Sequence, residues 1–355
     1  MARLLVTGGA GFIGANFVQY WVKTHPADTV VVLDALTYAG CRESLEPVKQ
    51  HEAFSFVHGN ILDVGLVDSL LRSGELDTIV HFAAESHVDR SISGPDTFID
   101  TNVVGTHALL KVARRVWLED RRGMPHRFHH VSTDEVYGSL GPADLGFSES
   151  TPYAPNSPYS ASKAGSDHLV RAYHHTYGLA TTISNCSNNY GPFQFPEKLI
   201  PLMIICALSG KPLPVYGDGL NVRDWLYVHD HCRAIDLIIS RGRAGETYNI
   251  GGNNERSNRD LVMRLCQILD ARFSAVPSLA VRFPDSPPAR GRATSSAIKY
   301  VTDRPGHDRR YAVDARKIRT ELGFEAQWLL DAGIDATLDW YVANETWWKA
   351  LLACR

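Results

Sequence analysis

A glycine-rich turn joins the first strand-like segment of the chain to the first helix-like segment. The turn runs Thr7-Gly8-Gly9-Ala10-Gly11-Phe12-Ile13-Gly14 and contains the spacing G-x-G-x-x-G. Residues without side chains let backbone N–H groups approach a pyrophosphate, and the following helix points its positive end at that charge. Gly14 also lets helix and strand pack closely. This turn therefore predicts a strand–turn–helix unit that binds a dinucleotide.

An acidic residue follows the second strand-like segment at the spacing expected of a dinucleotide site. Asp34 lies twenty residues after Gly14, at the end of the apolar run 30–33. A carboxylate there accepts hydrogen bonds from both hydroxyls of an adenosine ribose and repels a 2′-phosphate. Residues 35–37 include no arginine to hold such a phosphate. The pattern favours NAD over NADP, and its context argues against the alternative of an ordinary glycine-rich turn.

Short β-branched runs alternate with helix-like stretches through the first half of the chain. Continuous apolar strands separated by helices are typical of a parallel sheet covered on both faces. We therefore expect an α/β fold, with a Rossmann-type doubly wound parallel sheet and a smaller mixed α/β substrate-binding lobe. The expected strands lie near residues 4–6, 30–33, 54–57, 78–82 and 128–132 and around Ile183 and Tyr248, and the expected helices include 12–23, 101–115 and 160–177.

The pattern becomes irregular after about residue 190, where prolines are frequent. We expect residues 1–190 to form the NAD-binding domain, with later strands returning to it at about 223–252. Residues 191–355 are expected to form mainly the substrate lobe, interleaved with the first domain. Within this lobe, the Pro/Ser/Arg-rich stretch 277–297 is predicted to be a loop. An amphipathic helix is predicted over about 331–352.

Composition excludes several classes of function. The net charge is −3, with 36 Lys and Arg against 39 Asp and Glu, so no basic excess indicates nucleic-acid binding. The six cysteines are scattered without a C-x-x-C pair, which favours free thiols in a reducing compartment. No signal peptide and no membrane-spanning run is recognised, so we expect a cytoplasmic protein. The pairs His129-His130 and His229-x-His231 lack supporting ligands, and no metal is expected.

Two further motifs follow the fifth predicted strand. Ser132-Thr133-Asp134-Glu135 comes directly after it, where ligands of parallel sheets bind, although such residues also commonly cap helices. Tyr159 and Lys163 form Y-x-x-x-K and share one face of a predicted helix, a pattern also found in ordinary surface helices. Near a lysine ammonium and an oxidised nicotinamide, two positive charges favour the phenolate of such a tyrosine. The combination predicts a catalytic base beside a nicotinamide.

These features together resemble the extended short-chain dehydrogenase/reductase superfamily and, within it, the dTDP-glucose 4,6-dehydratase family. The resemblance covers nearly the whole chain, and the adjacent acids Asp134 and Glu135 distinguish it from the epimerases. The stretches that carry it are residues 7–14, 34–40, 83–91, 131–138, 157–164, 185–192, 196–201, 223–228 and 303–311. One departure is Asn60, where the family usually carries an aspartate near the adenine; an amide can still donate and accept hydrogen bonds.

The resemblance implies a sequence of steps on the glucose ring. Tyr159, aided by Thr133 and Lys163, removes the proton of the 4-hydroxyl while hydride passes to NAD⁺. The resulting ketone acidifies C5, whose proton Glu135 takes, and Asp134 protonates the departing 6-hydroxyl. Hydride then returns to C6, which gives dTDP-4-keto-6-deoxyglucose and regenerates a tightly bound NAD. This chemistry requires two carboxyls in opposite protonation states, and neighbouring like charges push their pKa values apart.

The resemblance also implies binding residues. Those expected around NAD are Gly8, Gly11, Phe12, Ile13, Gly14, Asp34, Leu36, Thr37, Asn60, Ile61, Ala83, Ala84, Ser86, Thr101, Tyr159, Lys163 and Asn188. Those expected around the substrate dTDP-glucose are Ser86, Thr133, Asn188, Lys198, Leu199, Pro201, Pro214, Tyr216, Arg223, Asn258, Arg304 and His307.

Other interpretations stay open at this point. An epimerase or decarboxylase of the superfamily would share NAD, Tyr159 and Lys163, and another nucleotide sugar could replace dTDP-glucose. A non-catalytic NAD-binding scaffold is a third alternative, although such proteins typically lose the Tyr or the Lys. The family forms homodimers through two helices of each subunit, here those starting near Thr101 and Tyr159. Their outer faces are expected to carry Val103, Leu109, Val112, Leu169 and Tyr173, although periodicity does not distinguish an interface from the core.

Overall fold

The computed structural model of the chain describes residues 1–303 and 306–353. Its centre is a seven-stranded parallel sheet with the strand order β3-β2-β1-β4-β5-β6-β10. Its strands are β1 (Arg3–Thr7), β2 (Thr29–Asp34), β3 (Phe54–His58), β4 (Thr78–His81), β5 (Arg127–Thr133), β6 (Thr181–Cys186) and β10 (Thr247–Ile250). The order reverses at β1, as in doubly wound Rossmann folds, so ligands are expected beyond the carboxyl ends of β1 and β4.

Helices cover both faces of this sheet, and a helical lobe lies beyond it. Strands β1, β2, β4, β5 and β6 are buried along most of their length, which explains the continuous apolar runs in β1 and β2; the polar residues of β5 and β6 are buried as well. The helices are α1 (Phe12–Thr24), α2 (Val64–Ser73), α3 (Val88–Ser93), α4 (Asp96–Phe98), α5 (Thr106–Ala113), α6 (Pro158–Tyr177), α7 (Leu199–Leu208), α8 (Val228–Arg241), α9 (Asn258–Ala275), α10 (Ser278–Arg282), α11 (Arg316–Leu322), α12 (Leu330–Ala343) and α13 (Glu345–Ala353).

Two small sheets accompany the helices of the second half. A three-stranded sheet joins β7 (Asn188–Tyr190), β9 (Val222–Tyr227) and β11 (Glu255–Ser257), with β9 in the centre. A two-stranded parallel sheet joins β8 (Leu213–Tyr216) to β12 (Ile298–Val301). A separate apolar core lies here, built from α7, α9, α12 and the side chains of β8 and β9. Since β7 follows β6 directly, the second lobe begins beside the carboxyl ends of the central strands.

Three expectations about local structure need correction. The predicted C-terminal helix is interrupted at Asn344, so that α12 and α13 are separate helices. The stretch 277–297 is not simply a loop, because it contains α10 and short 3₁₀ turns at Pro288–Arg290 and Thr294–Ala297. The predicted helix 101–115 consists of α5 with π-helical turns before and after it, and α4 leads directly into the first of these turns, so the helical stretch runs from Asp96 to Asp120.

The assignment of apolar side chains to the outer faces of the paired helices is also wrong for most of them. Leu109 and Val112 are completely buried in the core beneath the sheet, and Tyr173 is only 8% exposed. Periodicity identified an apolar face, but that face packs against the chain's own sheet.

Among the helices of the described residues, none combines the length and apolar character needed to cross a bilayer.

Candidate active site

The glycine-rich turn has the close packing that its sequence predicts. Gly8 has a φ of +69°, and a Cβ there would lie 2.5 Å from the backbone nitrogen of Ala83. A Cβ on Gly14 would lie 2.3 Å from the Gly8 carbonyl oxygen. Helix α1 begins at Phe12 without a side-chain cap, so the first N–H groups of the helix face the same turn. This cradle fits a pyrophosphate and leaves no room for larger residues at either glycine.

Asp34 ends β2 beside this turn and is nearly buried, with 8% of its surface exposed. One of its carboxylate oxygens accepts a hydrogen bond from the Ala10 N–H and the other accepts one from the Leu36 N–H, each at 2.8 Å. Burial raises the pKa of Asp34, and these two hydrogen bonds counteract the rise. Each oxygen can accept a further bond, so the carboxylate can still receive the two hydroxyls of a ribose.

Thr133, Asp134 and Glu135 lie at the carboxyl end of β5, where the strand turns into the 3₁₀ segment Asp134–Tyr137. The Thr133 hydroxyl accepts a hydrogen bond from the Glu135 N–H at 3.3 Å and donates one to Asp134 Oδ1 at 3.4 Å. Thr133 therefore caps this turn, as such residues commonly do at the start of a helix. The same hydroxyl is close enough to Tyr159 to lower its pKa when it donates to the phenol oxygen instead of to Asp134, so it lies between the predicted base and the predicted acid.

Asp134 has the electrostatics of a general acid. Its side chain is 1% exposed, and Oδ2 accepts no hydrogen bond from the described residues. Burial raises its pKa well above the ordinary value; the negative charges of Glu135 and Asp224 add to this effect, and Arg223 opposes it. The half-buried Glu135 lies beside it in the same cleft. Burial beside a second carboxyl therefore favours the protonated form of Asp134.

Helix α6 positions Tyr159 and Lys163 against β5. The helix begins with a capping box between Ser157 and Ser160, which fixes its first turn at the carboxyl end of the sheet. Lys163 lies one turn later and donates a hydrogen bond to the Val131 carbonyl at 2.8 Å. Both side chains are more than nine-tenths buried.

The pKa of Tyr159 corrects the electrostatic expectation. In the protein alone its pKa is raised well above 10, first by burial and then by the charge of Glu135, while the bond from Thr133 opposes the rise. Burial likewise lowers the pKa of Lys163 to about 8. The Y-x-x-x-K spacing brings the two residues together but does not by itself produce a phenolate. Positive charge from Lys163 and from an oxidised nicotinamide must therefore offset the burial of Tyr159.

A single cleft brings most of the predicted residues together. It opens at the carboxyl ends of β1, β4 and β5 and continues to β7 and the start of α7. The predicted residues that line it are Gly8, Gly11, Phe12, Ile13, Gly14, Asp34, Thr37, Asn60, Ile61, Ala83, Ala84, Ser86, Thr101, Thr133, Asp134, Glu135, Tyr159, Lys163, Asn188 and Lys198. Leu36 does not line it, because its side chain packs in the core and only its N–H faces Asp34.

The other predicted substrate residues lie outside this lining. Leu199 and Pro201 belong to α7, Pro214 and Tyr216 to β8, and Asn258 to the start of α9. Arg223 on β9 is 5% exposed; its guanidinium donates to the carbonyls of Val222 and Asp308 and stacks on the Tyr311 ring.

His307 Nδ1 lies 2.6 Å from Asp303 Oδ1, close to the end of β12. Arg304, the remaining predicted substrate residue, lies outside the described residues.

The chain matches known proteins over nearly its whole length. Residues 5–337 match the family described as GDP-mannose 4,6 dehydratase. A dTDP-glucose 4,6-dehydratase of Xanthomonas campestris is 56% identical over 354 residues, which cover 99% of this chain and 96% of that protein. The chain belongs to the dTDP-glucose 4,6-dehydratase family.

Solved structures of dTDP-glucose 4,6-dehydratases share its fold. The Streptomyces venezuelae enzyme, solved with NAD and a thymidine diphosphate ligand, has a TM-score of 0.87 and 49% identity, and the match covers 98% of this chain and 99% of that one. The Bacillus anthracis enzyme in complex with NAD has a TM-score of 0.85 and 45% identity, over 99% and 100% of the two chains. The family and the Rossmann-type fold predicted from the sequence are confirmed.

Sequence reasoning missed several residues that line the cleft of this dTDP-glucose 4,6-dehydratase family member. Tyr38 stacks under the Arg90 guanidinium and contacts Phe195 by its ring edge. Glu197 lies 3.5 Å from His87 and 3.6 Å from Arg90. Tyr38 and Glu197 fall within motifs that carried the family resemblance, but neither has a spacing that predicts a ligand. Only the fold brings them to one wall of the cleft.

Proposed function

We propose that the chain is an NAD-dependent hydro-lyase that converts dTDP-glucose into dTDP-4-keto-6-deoxyglucose and water. One observation carries the proposal: two adjacent carboxyl groups, Asp134 and Glu135, lie in one cleft with Tyr159 and Lys163. The negative charge of Glu135 helps to hold Asp134 protonated, so the pair offers one acid and one base. An oxidoreductase or epimerase would need the Tyr–Lys pair but not this pair of carboxyls.

The cleft residues take separate roles in this reaction. Tyr159, next to Thr133, accepts the proton of the sugar 4-hydroxyl once the positive charges of Lys163 and of the nicotinamide favour its phenolate. Glu135 removes the proton at C5, which the ketone at C4 makes acidic. Asp134 gives its proton to the departing 6-hydroxyl, so that water leaves. NAD held by the glycine turn and Asp34 would supply the hydride chemistry, as acceptor of hydride from C4 and donor of hydride to C6, and would be regenerated in each turnover.

The residues present fit NAD at one end of the cleft. The glycine cradle receives the pyrophosphate, and Asp34 receives the ribose hydroxyls. Asn60 lies at the adenine end, where its amide oxygen accepts the Leu62 N–H at 2.9 Å. A cofactor regenerated in each turnover need not dissociate, so we propose that NAD stays tightly bound. We also propose that residues 1–190 form the NAD-binding domain and that residues 191–355 form mainly the substrate-binding lobe.

The substrate nucleotide is proposed to occupy the other end of the cleft, towards α7. Lys198 precedes α7 and donates a hydrogen bond to the Ser86 carbonyl at 3.1 Å, so it connects the sheet to the second lobe. The proposal places Arg223 near the diphosphate, where a guanidinium can hold two oxygens at once. The further residues assigned to the nucleotide sugar are Asn188, Leu199, Pro201, Pro214, Tyr216, Asn258, Arg304 and His307.

We further propose a homodimer in the cytoplasm. The stretch Ile99–Asp120 packs against α6, and Asn102 Nδ2 donates to Ser162 Oγ at 2.8 Å between them. Ile99 and Val104 are about half exposed on this pair of helices, at 46% and 45%. A second copy would cover these apolar side chains. Free, buried cysteines throughout the described residues are consistent with a reducing compartment.

The test of the proposed function uses the purified protein with dTDP-glucose and no added cofactor. Mass spectrometry of the sugar nucleotide should show the loss of one water, and Tyr159→Phe should abolish it. UDP-, CDP- and GDP-glucose are assayed in parallel. If another nucleotide reacts and dTDP-glucose does not, the substrate is wrong and the reaction stands. If no sugar nucleotide loses water even with NAD added, the proposed reaction is wrong.

A further inference from the structure

A third ionisable residue continues the stripe of Tyr159 and Lys163 on α6. Asp167 follows Lys163 by four residues, as Lys163 follows Tyr159, so the three side chains share one face of the helix. The exposed fractions are 9%, 4% and 2% along the stripe. Asp167 does not line the cleft, and it takes no part in the steps proposed above. A buried carboxyl beneath a catalytic lysine needs a physical reason.

The surroundings of Asp167 hold one of its oxygens in place. Oδ2 accepts hydrogen bonds from Ser132 Oγ at 2.9 Å and from the Tyr153 hydroxyl at 3.0 Å. The Asn185 amide adds a longer one at 3.4 Å. These donors come from β5, from the segment before α6 and from β6. Three donors on one oxygen favour the ionised carboxylate.

The other oxygen of Asp167 faces His130. Oδ1 lies 3.2 Å from His130 Nε2 and accepts no aligned hydrogen bond from the described residues. The same His130 nitrogen lies 3.4 Å from Lys163 Nζ. One imidazole therefore lies between the carboxylate and the ammonium. Lys163 Nζ is held from the other side by the Val131 carbonyl.

The other titratable groups that face this pair are uncharged near neutral pH. Burial lowers the pKa values of His130 on β5 and His81 on β4 well below 6.5. Burial raises those of Tyr153 and Tyr137, and that of Cys186 on β6 rises to about 12.

Asp167 is therefore the anion that faces Lys163 among the described groups. Its charge has the largest effect that opposes the burial of Lys163, whose pKa is lowered to about 8. Burial in turn raises the pKa of Asp167 to about 6.

We propose that Asp167 is a positioning residue that acts through Lys163. Its carboxylate provides the counter-charge that keeps the lysine protonated and in place across His130, and so sets the pH range in which Tyr159 is an effective base. The inference rests on the proposed function for the part played by Tyr159. Asp167 contacts neither substrate nor cofactor in this account.

The experiment compares the holoenzyme with Asp167→Asn, which keeps the shape of the side chain and removes its charge. The variant should lose kcat at pH 8, where Lys163 titrates, by about 5- to 50-fold for a downward pKa shift of about one to two units. The loss should be less than about twofold at pH 6. KM should change little, because Asp167 does not line the cleft.

A second measurement needs no turnover. The tyrosinate absorbance of the holoenzyme is titrated with pH, and the Tyr159→Phe spectrum is subtracted. The midpoint for Tyr159 should lie higher in Asp167→Asn than in the wild type, since Lys163 no longer carries its charge. This readout stands even if dTDP-glucose is not the substrate, so it separates failure of the inference from failure of the proposed function.

Two further variants exclude a purely structural explanation. Asp167→Glu restores the charge and should recover most of the activity at pH 8. Tyr153→Phe removes one donor to Asp167, so the carboxylate should protonate at a higher pH; activity should fall between pH 7 and 8, by less than in Asp167→Asn, with little loss at pH 6. Equal losses of kcat at pH 6 and pH 8 in Asp167→Asn, or an unchanged Tyr159 midpoint, would overturn the proposal. If Asp167→Asn does not fold, the test rests on Tyr153→Phe. A pH profile of kcat in that variant identical to the wild-type profile would also overturn the proposal.

Discussion

Replacing Asp134 by asparagine isolates the general acid of the proposed elimination. The side chain is 1% exposed, and burial raises its pKa well above the ordinary value, which favours the neutral carboxylic acid. An amide has nearly the same shape and the same charge. The Thr133 hydroxyl, at 3.4 Å, can bond the amide as it bonds the acid. We therefore expect Asp134→Asn to fold normally and to lack only the transferable proton.

The size of the effect follows from the isolation of Asp134. A positioned general acid contributes about 10²- to 10⁴-fold to a rate, or about 3–5 kcal/mol of barrier. Oδ2 accepts no hydrogen bond from the described residues, and the nearby Thr133 hydroxyl is a much weaker acid than a carboxyl. Water loss should therefore slow by a factor within this range. Glu135 is unchanged in the variant and can still remove the C5 proton.

The assay follows two events in deuterated water. Mass spectrometry measures water loss, and NMR measures hydrogen exchange at C5 of the unreacted sugar. Asp134→Asn should lose water slowly while C5 exchange continues. Glu149→Gln is the matched control, because Glu149 is a half-buried carboxyl outside the cleft that accepts the Asn249 N–H at 2.8 Å. If Asp134→Asn loses water within about threefold of the wild-type rate, Asp134 is not the acid.

Three other changes test separate parts of the site. Gly14→Ala puts a Cβ 2.3 Å from the Gly8 carbonyl, so NAD retained through gel filtration should fall at least about tenfold; Gly65→Ala, whose Cβ would have ordinary 3.4 Å contact, should retain it. Thr133→Val should lower kcat by about 10²-fold and move the acid limb of its pH profile upward, because the bond that lowers the pKa of Tyr159 is lost, whereas Thr133→Ser should recover most activity. His129 is buried and its pKa lies well below 6.5, so the stability it contributes is complete well above pH 6.5 and is lost as the pH falls. His129→Gln should make the slope of the unfolding free energy between pH 5 and 6.5 shallower by up to about 1.4 kcal/mol per pH unit, measured by urea titration.

The local parts of the site follow from sequence. The glycine turn and Asp34 are fixed by neighbouring strand and helix patterns, and Y-x-x-x-K places Tyr159 and Lys163 on one face through helical geometry alone. Thr133, Asp134 and Glu135 follow a strand end, and the topology of a parallel sheet brings strand ends to one edge. These predictions required no knowledge of long-range packing.

Other features depend on packing that spacing does not encode. The depth of burial reverses the expected direction of the Tyr159 pKa, and no motif reports burial. Leu109 and Val112 lie on an apolar face, but periodicity does not say which neighbour covers it. His130 on β5 lies next to both Asp167 and Lys163 of α6, and this arrangement is visible only once the helix is packed on the sheet. The interruption at Asn344 also went unrecognised, because the apolar pattern continues on both sides of it.

The most direct test of the account follows the hydride within one sugar. The purified protein is incubated with dTDP-glucose deuterated at C4, without added NAD, and the product is examined by mass spectrometry and NMR. The account predicts loss of one water with the deuterium at C6, since a tightly held NAD carries the label between the two carbons. Water loss without deuterium at C6, or deuterium that stays at C4 in unreacted sugar even when NAD is added, would contradict it.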